Sequence, residues 1–190
     1  MTQFDYIVVL VSVVIGLGVV HLLAGAAKFL TGRGEWKPYW VHLLWTWNVF
    51  NELVFFWWFV WRWKTVPQWS ILLFLFVLGY SVLMYLLCVV LYPETDDGRD
   101  FRRIYYNNRG IFFGLWIVSM IVDIADTRLK VHYGLHGFGM PQYLAYAAIF
   151  TGSAICARST SHRVHATWAV LFLIIMSSFE LANFSVLRAN

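Results

Sequence analysis

A chain of 190 residues that is 61% hydrophobic and 13% charged is more apolar than a water-soluble domain, for which ~45–50% and ~25% are usual. Its surplus apolar surface must face lipid. The net charge of +4 is accounted for by segments between the apolar runs, so it does not point to nucleic acid.

The runs are of helix-spanning length and apolar on every face, which excludes the alternating ~10-residue segments of a transmembrane barrel. They predict an all-α, polytopic bundle of six transmembrane helices forming a single domain over 1–190. The first span is expected at 6–27. Small residues close it at Ala24 to Ala27, as in a signal peptide, but Met1-Thr2-Gln3-Phe4-Asp5 holds no Lys or Arg, so it reads as a retained helix. Gly18, His21 and Gly25 share one of its faces, a packing seam within the bundle or between protomers.

The second span, 39–61, opens near His42 and carries Asn48, Asn51 and Glu52 on one face by their i, i+3 and i+4 spacing. Nine of the eleven Trp fall between Trp36 and Trp69 and read as an interfacial belt, with Trp36 and Trp40 at one end and Trp57, Trp58, Trp61, Trp63 and Trp69 at the other. The third span, 69–92, leads into Pro93-Glu94-Thr95-Asp96-Asp97-Gly98-Arg99-Asp100, which lacks the register of a calcium loop and reads as a solvated turn.

The fourth span is expected at 110–125 with Ser119, Asp123 and Asp126 as a polar stripe, the fifth at 142–157, and the sixth at 164–187 with Ser177, Glu180 and Asn183. His132 and His136 have helical metal-ligand spacing, but Gly134, Gly137 and Gly139 undercut a helix there, and no metal site is expected. Cys88 and Cys156 stand alone as small apolar fillers.

Counting Lys and Arg gives nine residues on one side of these spans and five on the other. The positive-inside rule then puts both termini outside the cytoplasm. No Lys or Arg falls inside a span, so the intramembrane acids have no expected basic partner.

Those acids carry the functional expectation, because ionisable groups in hydrocarbon are costly and tend to face a cavity or the bundle interior. Measured from the expected starts of the even-numbered spans, Glu52, Asp123 and Glu180 rise about 20, 20 and 24 Å, nearly one level. With Asn48, Asn51 and Asn183 as polar lining, and His21 with His42 as a relay in the inner half, they predict a channel or transporter for protons or small cations, homo-oligomeric and free of cofactors. One alternative is a membrane electron-transfer protein in which His21 and His42 ligate a haem b, Gly18 and Gly25 leaving space for the ring. Another is a non-catalytic subunit or sensor whose glycine face and Trp-rich helix bind a partner helix. Gly-x-Ser-x-Gly, HExxH and a phosphate-cradling Gly loop are all missing, which weighs against an enzyme.

The stretches running from Phe4-Asp5-Tyr6 through Gly16-Leu17-Gly18 to His21-Leu22-Leu23, and Pro38-Tyr39-Trp40-Val41-His42-Leu43-Leu44-Trp45, resemble those of small bacterial inner-membrane proteins. The resemblance covers about the first quarter of the chain. It implies a bacterial cytoplasmic membrane and brings no activity with it.

Overall fold

The computed structural model describes residues 2–31, 36–66, 68–94, 100–135, 137 and 139–184, apart from the side chains of residues 30, 31, 183 and 184. Among them the chain is all-helical: α1 Gln3–Thr31, α2 Trp40–Trp61 followed by a 3-10 turn Arg62–Thr65, α3 Ile71–Leu91, α4 Phe101–His132, α5 Met140–Arg158 and α6 His162–Phe184. Four of the helices, α1, α3, α4 and α6, are long and apolar enough to cross a membrane. The protein is therefore a multi-pass helical membrane protein by length and composition. The large apolar side chains on its outside, among them Val13, Leu17, Leu72, Leu144 and Leu181, are those expected of a surface solvated by lipid.

Successive helices alternate in direction. At one end Tyr39, just before α2, meets Tyr106 near the start of α4 and His162 at the start of α6, while Phe29 late in α1 stacks on Phe101 at 4.2 Å. At the opposite end Phe4 of α1 packs on Trp69, which precedes α3. The first of these is the basic end, where Lys28, Lys37, Arg102, Arg103, Arg158 and Arg163 gather at helix ends and in the adjoining segments.

The fourth helix corrects the expectation of a span limited to 110–125. Asp100 caps it, accepting hydrogen bonds from the backbone N–H of Arg102 at 2.9 Å and Arg103 at 3.2 Å, and the helix then runs through 32 residues. Arg102, Arg103 and Arg109 at one end, and Arg128 and Lys130 at the other, are therefore helical rather than in loops. A helix of ~48 Å outruns the hydrocarbon, and its charged turns extend the ladder at both ends. The acidic turn's residues 95–99 and His136 lie outside the described residues; His132 is the last residue of α4.

The glycine face of α1 packs against α3. A Cβ on Gly25 would stand 2.3 Å from the Tyr92 ring, and one on Gly18 would touch Cys88 and the backbone of Tyr85 at 3.4 and 3.6 Å. Gly25→Ala should therefore lower stability by about 1–3 kcal/mol through overpacking. Gly16→Ala, where a Cβ meets nothing within 4 Å, is the control expected to match wild type or exceed it slightly. Thermal melts of the two purified variants in one detergent check the contrast.

Candidate functional site

Two turns of helix separate an aromatic layer from an acidic one. On α2, Trp45 precedes Glu52 by seven residues; on α4, Trp116 precedes Asp123 by seven; on α6, Phe172 precedes Glu180 by eight. Seven or eight residues bring a helix back close to the same face about 10–12 Å further along, so three parallel helices repeat one vertical pattern.

The lower layer is built of buried aromatic rings packed on one another. Trp45 is fully buried, with ring centroids 5.3 Å from Phe112, 5.2 Å from Phe113 and 5.1 Å from Phe172, while Trp116 lies 4.7 Å from Phe172. Most of these pairs are edge-on or tilted, the arrangements that the ring quadrupole favours.

Above it lies a cavity of about 60 Å³, enough for a few water molecules, with Trp116 and Phe172 in its floor and Glu52 and Asp123 in its wall. Tyr80 of α3, Ser119 of α4, and Gln142 and Tyr146 of α5 complete its polar lining. Asp123 accepts a hydrogen bond from Tyr80 Oη at 3.3 Å and another from Tyr146 Oη, which in turn accepts from Gln142 Nε2.

Glu180 stands behind the wall, between the lining residues Met176 and Phe179 of its own helix and Asn51, whose Nδ2 donates to Glu180 Oε2 at 3.0 Å. It is buried, and within electrostatic reach of Glu52. The remaining oxygens, Oε1 of Glu52 and Oε1 of Glu180, are sealed from solvent without a hydrogen-bond partner. An ionised carboxylate left so would cost several kcal/mol, so a proton, a cation or ordered water is needed there.

Of the three acids expected at one level, Glu52 and Asp123 line one cavity while Glu180 lies behind its wall on Asn51, and the other expected residues are placed elsewhere. Asn48 turns to α6 and donates to Ala169 O at 3.1 Å, and the side chain of Asn183 lies outside the described residues. His21 and His42 sit at the far end of α3. Each uses Nε2 to donate to a helix-terminal carbonyl, His21 to Tyr92 O and His42 to Leu91 O, both at 2.8 Å. Those carbonyls have no partner within their own helix, so the two histidines complete its C-terminus from neighbouring helices.

Gly18 and Gly25, expected to leave room for a haem ring, instead receive Cys88 and Tyr92. Ligation through Nε2 would also require both imidazoles to release their carbonyls.

A basic residue does lie within the long α4, paired with Asp126 rather than with Glu52, Asp123 or Glu180. Lys130 Nζ lies 2.5 Å from Asp126 Oδ2 and 3.2 Å from Phe59 O, and Trp63 Nε1 donates to Asp126 Oδ1 at 3.0 Å. Both charges are almost fully buried. Their i, i+4 spacing was a readable signal, hidden because α4 was expected to stop at Ala125. Trp63, expected in the interfacial belt, is instead 1% exposed and donates to Asp126 of this pair.

No protein-family model, curated protein or solved structure matches the chain. Among the described residues no three His, Cys, Asp or Glu side chains converge as metal ligands, and both cysteines are buried and unpaired. What remains is a cavity with one buried acceptor oxygen, of Glu52, in its wall and another, of Glu180, behind it, two tyrosine hydroxyls held on Asp123, and an aromatic floor.

Proposed function

We propose that this chain is a six-span transporter that exchanges protons or small cations at the Glu52–Asp123–Glu180 cavity, in a bacterial cytoplasmic membrane with both termini periplasmic. The observation that carries the reading is one cavity lined by the carboxylates of Glu52 and Asp123 from two helices, with Glu180 of a third behind its wall and Oε1 of both glutamates buried and unpartnered.

Alternate helix direction supports six crossings. Between the parallel α1 and α3 the chain must return, and α2, at 22 residues and ~33 Å, is long enough to do so through the bilayer; α5, at 19 residues and ~28 Å, is close to the hydrocarbon thickness. Both fall short on hydropathy because Trp, Tyr, Asn and Gln score poorly, although Trp45 and Asn48 of α2 are buried against protein.

The closed floor favours a transporter over an open pore, since ions reaching the acids from the outer side would meet Trp45, Trp116 and Phe172. Alternating access would need that layer to part while the outer wall closes. The experiment is proton flux into liposomes holding the purified protein under an imposed potassium diffusion potential. Wild type should acidify the lumen, and Glu52→Gln should slow this at least about tenfold, because a charge in a low-dielectric site is worth more than the ~1.4 kcal/mol behind a tenfold change. Flux and thermal stability lost together would assign Glu52 to packing.

A further inference from the structure

Protons and metal cations make different demands on a site, and the lining of this cavity meets only one of them. An alkali or alkaline-earth ion gives up its hydration shell for roughly six oxygens arranged around it. The polar groups here are committed to one another: Asp123 accepts from Tyr80 at one oxygen and from Tyr146 at the other, Gln142 Nε2 donates to Tyr146 Oη, and Ser119 Oγ donates to Trp116 O at 2.8 Å. Phe56, Phe59, Met84, Met120 and Ile149 fill much of the remaining wall and offer a hard ion no oxygen. Among the described residues no three His, Cys, Asp or Glu side chains converge on a point.

A proton needs one acceptor and water to deliver it. A cavity of about 60 Å³ holds a few waters and little else. Glu52 provides the acceptor, because its Oε1 is sealed from solvent and takes part in no hydrogen bond, whereas both oxygens of Asp123 are engaged. The two carboxylates are therefore not equivalent. An ionised carboxylate only accepts hydrogen bonds, and a protonated one has a hydrogen to donate. Two tyrosine donors suit Asp123 to the first state, while Glu52, with no donor on Oε1, can pass between both.

From this asymmetry we infer that the ion exchanged at the cavity is the proton, that Glu52 takes it up, and that Asp123, held by Tyr80 and Tyr146, is a positioning residue for the water that delivers it. The inference rests on the reading of the cavity as an ion-exchange site given above and names the substrate. On loading, a hydronium in the cavity gives its proton to a carboxylate oxygen of Glu52; an O–H bond forms and a water remains. Release reverses the step and consumes nothing else.

Tyr80 of α3, Asp123 of α4, Tyr146 of α5 and Glu180 of α6 are the titratable groups facing Glu52. The Asp126–Lys130 pair lies further out on α4, and Arg62 at the end of α2 is within electrostatic reach of Asp123 and Asp126.

The test is infrared difference spectroscopy, acid against alkaline pH, on the full-length protein in lipid nanodiscs. One component of the carbonyl stretch of protonated carboxyl groups should move on exchange into D2O, be lost in Glu52→Gln and persist in Asp123→Asn, and it should be the same in sodium, potassium or calcium chloride. Glu52→Asp, which keeps the acid, should shift that component and serves if the first variant does not fold. In liposomes Asp123→Asn should slow proton flux although its Glu52 component persists, and tracer sodium and rubidium uptake should stay at the level of protein-free vesicles.

The inference is overturned by spectra identical in wild type and folded Glu52→Gln, by a component unshifted in Glu52→Asp, or by one that a metal chloride abolishes. Sodium or rubidium uptake that depends on Glu52, without proton flux, overturns it and leaves the transport reading standing. A Glu52 component with no flux of any ion sustains the proton assignment and removes transport.

Discussion

Lys130→Met should lower the unfolding free energy by about 3–5 kcal/mol, the usual cost of leaving one member of a buried ion pair without its partner. The ammonium is 2.5 Å from Asp126 Oδ2 and also satisfies Phe59 O at the end of α2, so one side chain ties α4 to α2. Its removal strands a carboxylate that keeps only the Trp63 indole. The double variant Lys130→Met with Asp126→Asn removes both charges and should recover most of the loss. Urea or thermal unfolding of the four proteins in one detergent gives the cycle. A single variant as stable as wild type would mean that water already reaches the pair.

Trp45→Ala should have a comparable cost, about 3–5 kcal/mol for truncating a fully buried aromatic, and a second effect that an ordinary core residue would not have. It opens the layer between the acid cavity and the basic end, so folded variant in liposomes should leak protons down a gradient faster than wild type. Phe172→Leu, milder in volume, should leak less while folding more readily. A folded Trp45→Ala as tight as wild type would show that the seal lies elsewhere.

Helix positions were legible wherever apolar residues ran unbroken, and α2, α3 and α5 begin and end within about two residues of expectation. The misread helix is α4, whose ends are charged. Arg102 and Arg103 resemble a loop until Asp100 is recognised as its cap, and Lys130 resembles one until it is paired with Asp126 a turn earlier. Local composition cannot report a buried ion pair, since the compensation lies on another residue.

The acids of the candidate site were legible for the same reason inverted: a Glu or Asp within hydrocarbon stands out. Their companions were not. Tyr80, Gln142 and Tyr146 are ordinary membrane-helix residues by type, and only the approach of α3 and α5 to α4 gives them a role. His21 and His42 illustrate the converse, being conspicuous in sequence and placed by the fold on the terminal carbonyls of α3.

Action of Glu52 and Asp123 at one cavity is tested by a double-variant cycle on proton flux in liposomes using Glu52→Gln, Asp123→Asn and the two combined. A shared site predicts that the combined variant is no slower than the slower single one, because either change already disables it. Losses that multiply, with all proteins folded and equally inserted, would mean two independent positions and would contradict a common site.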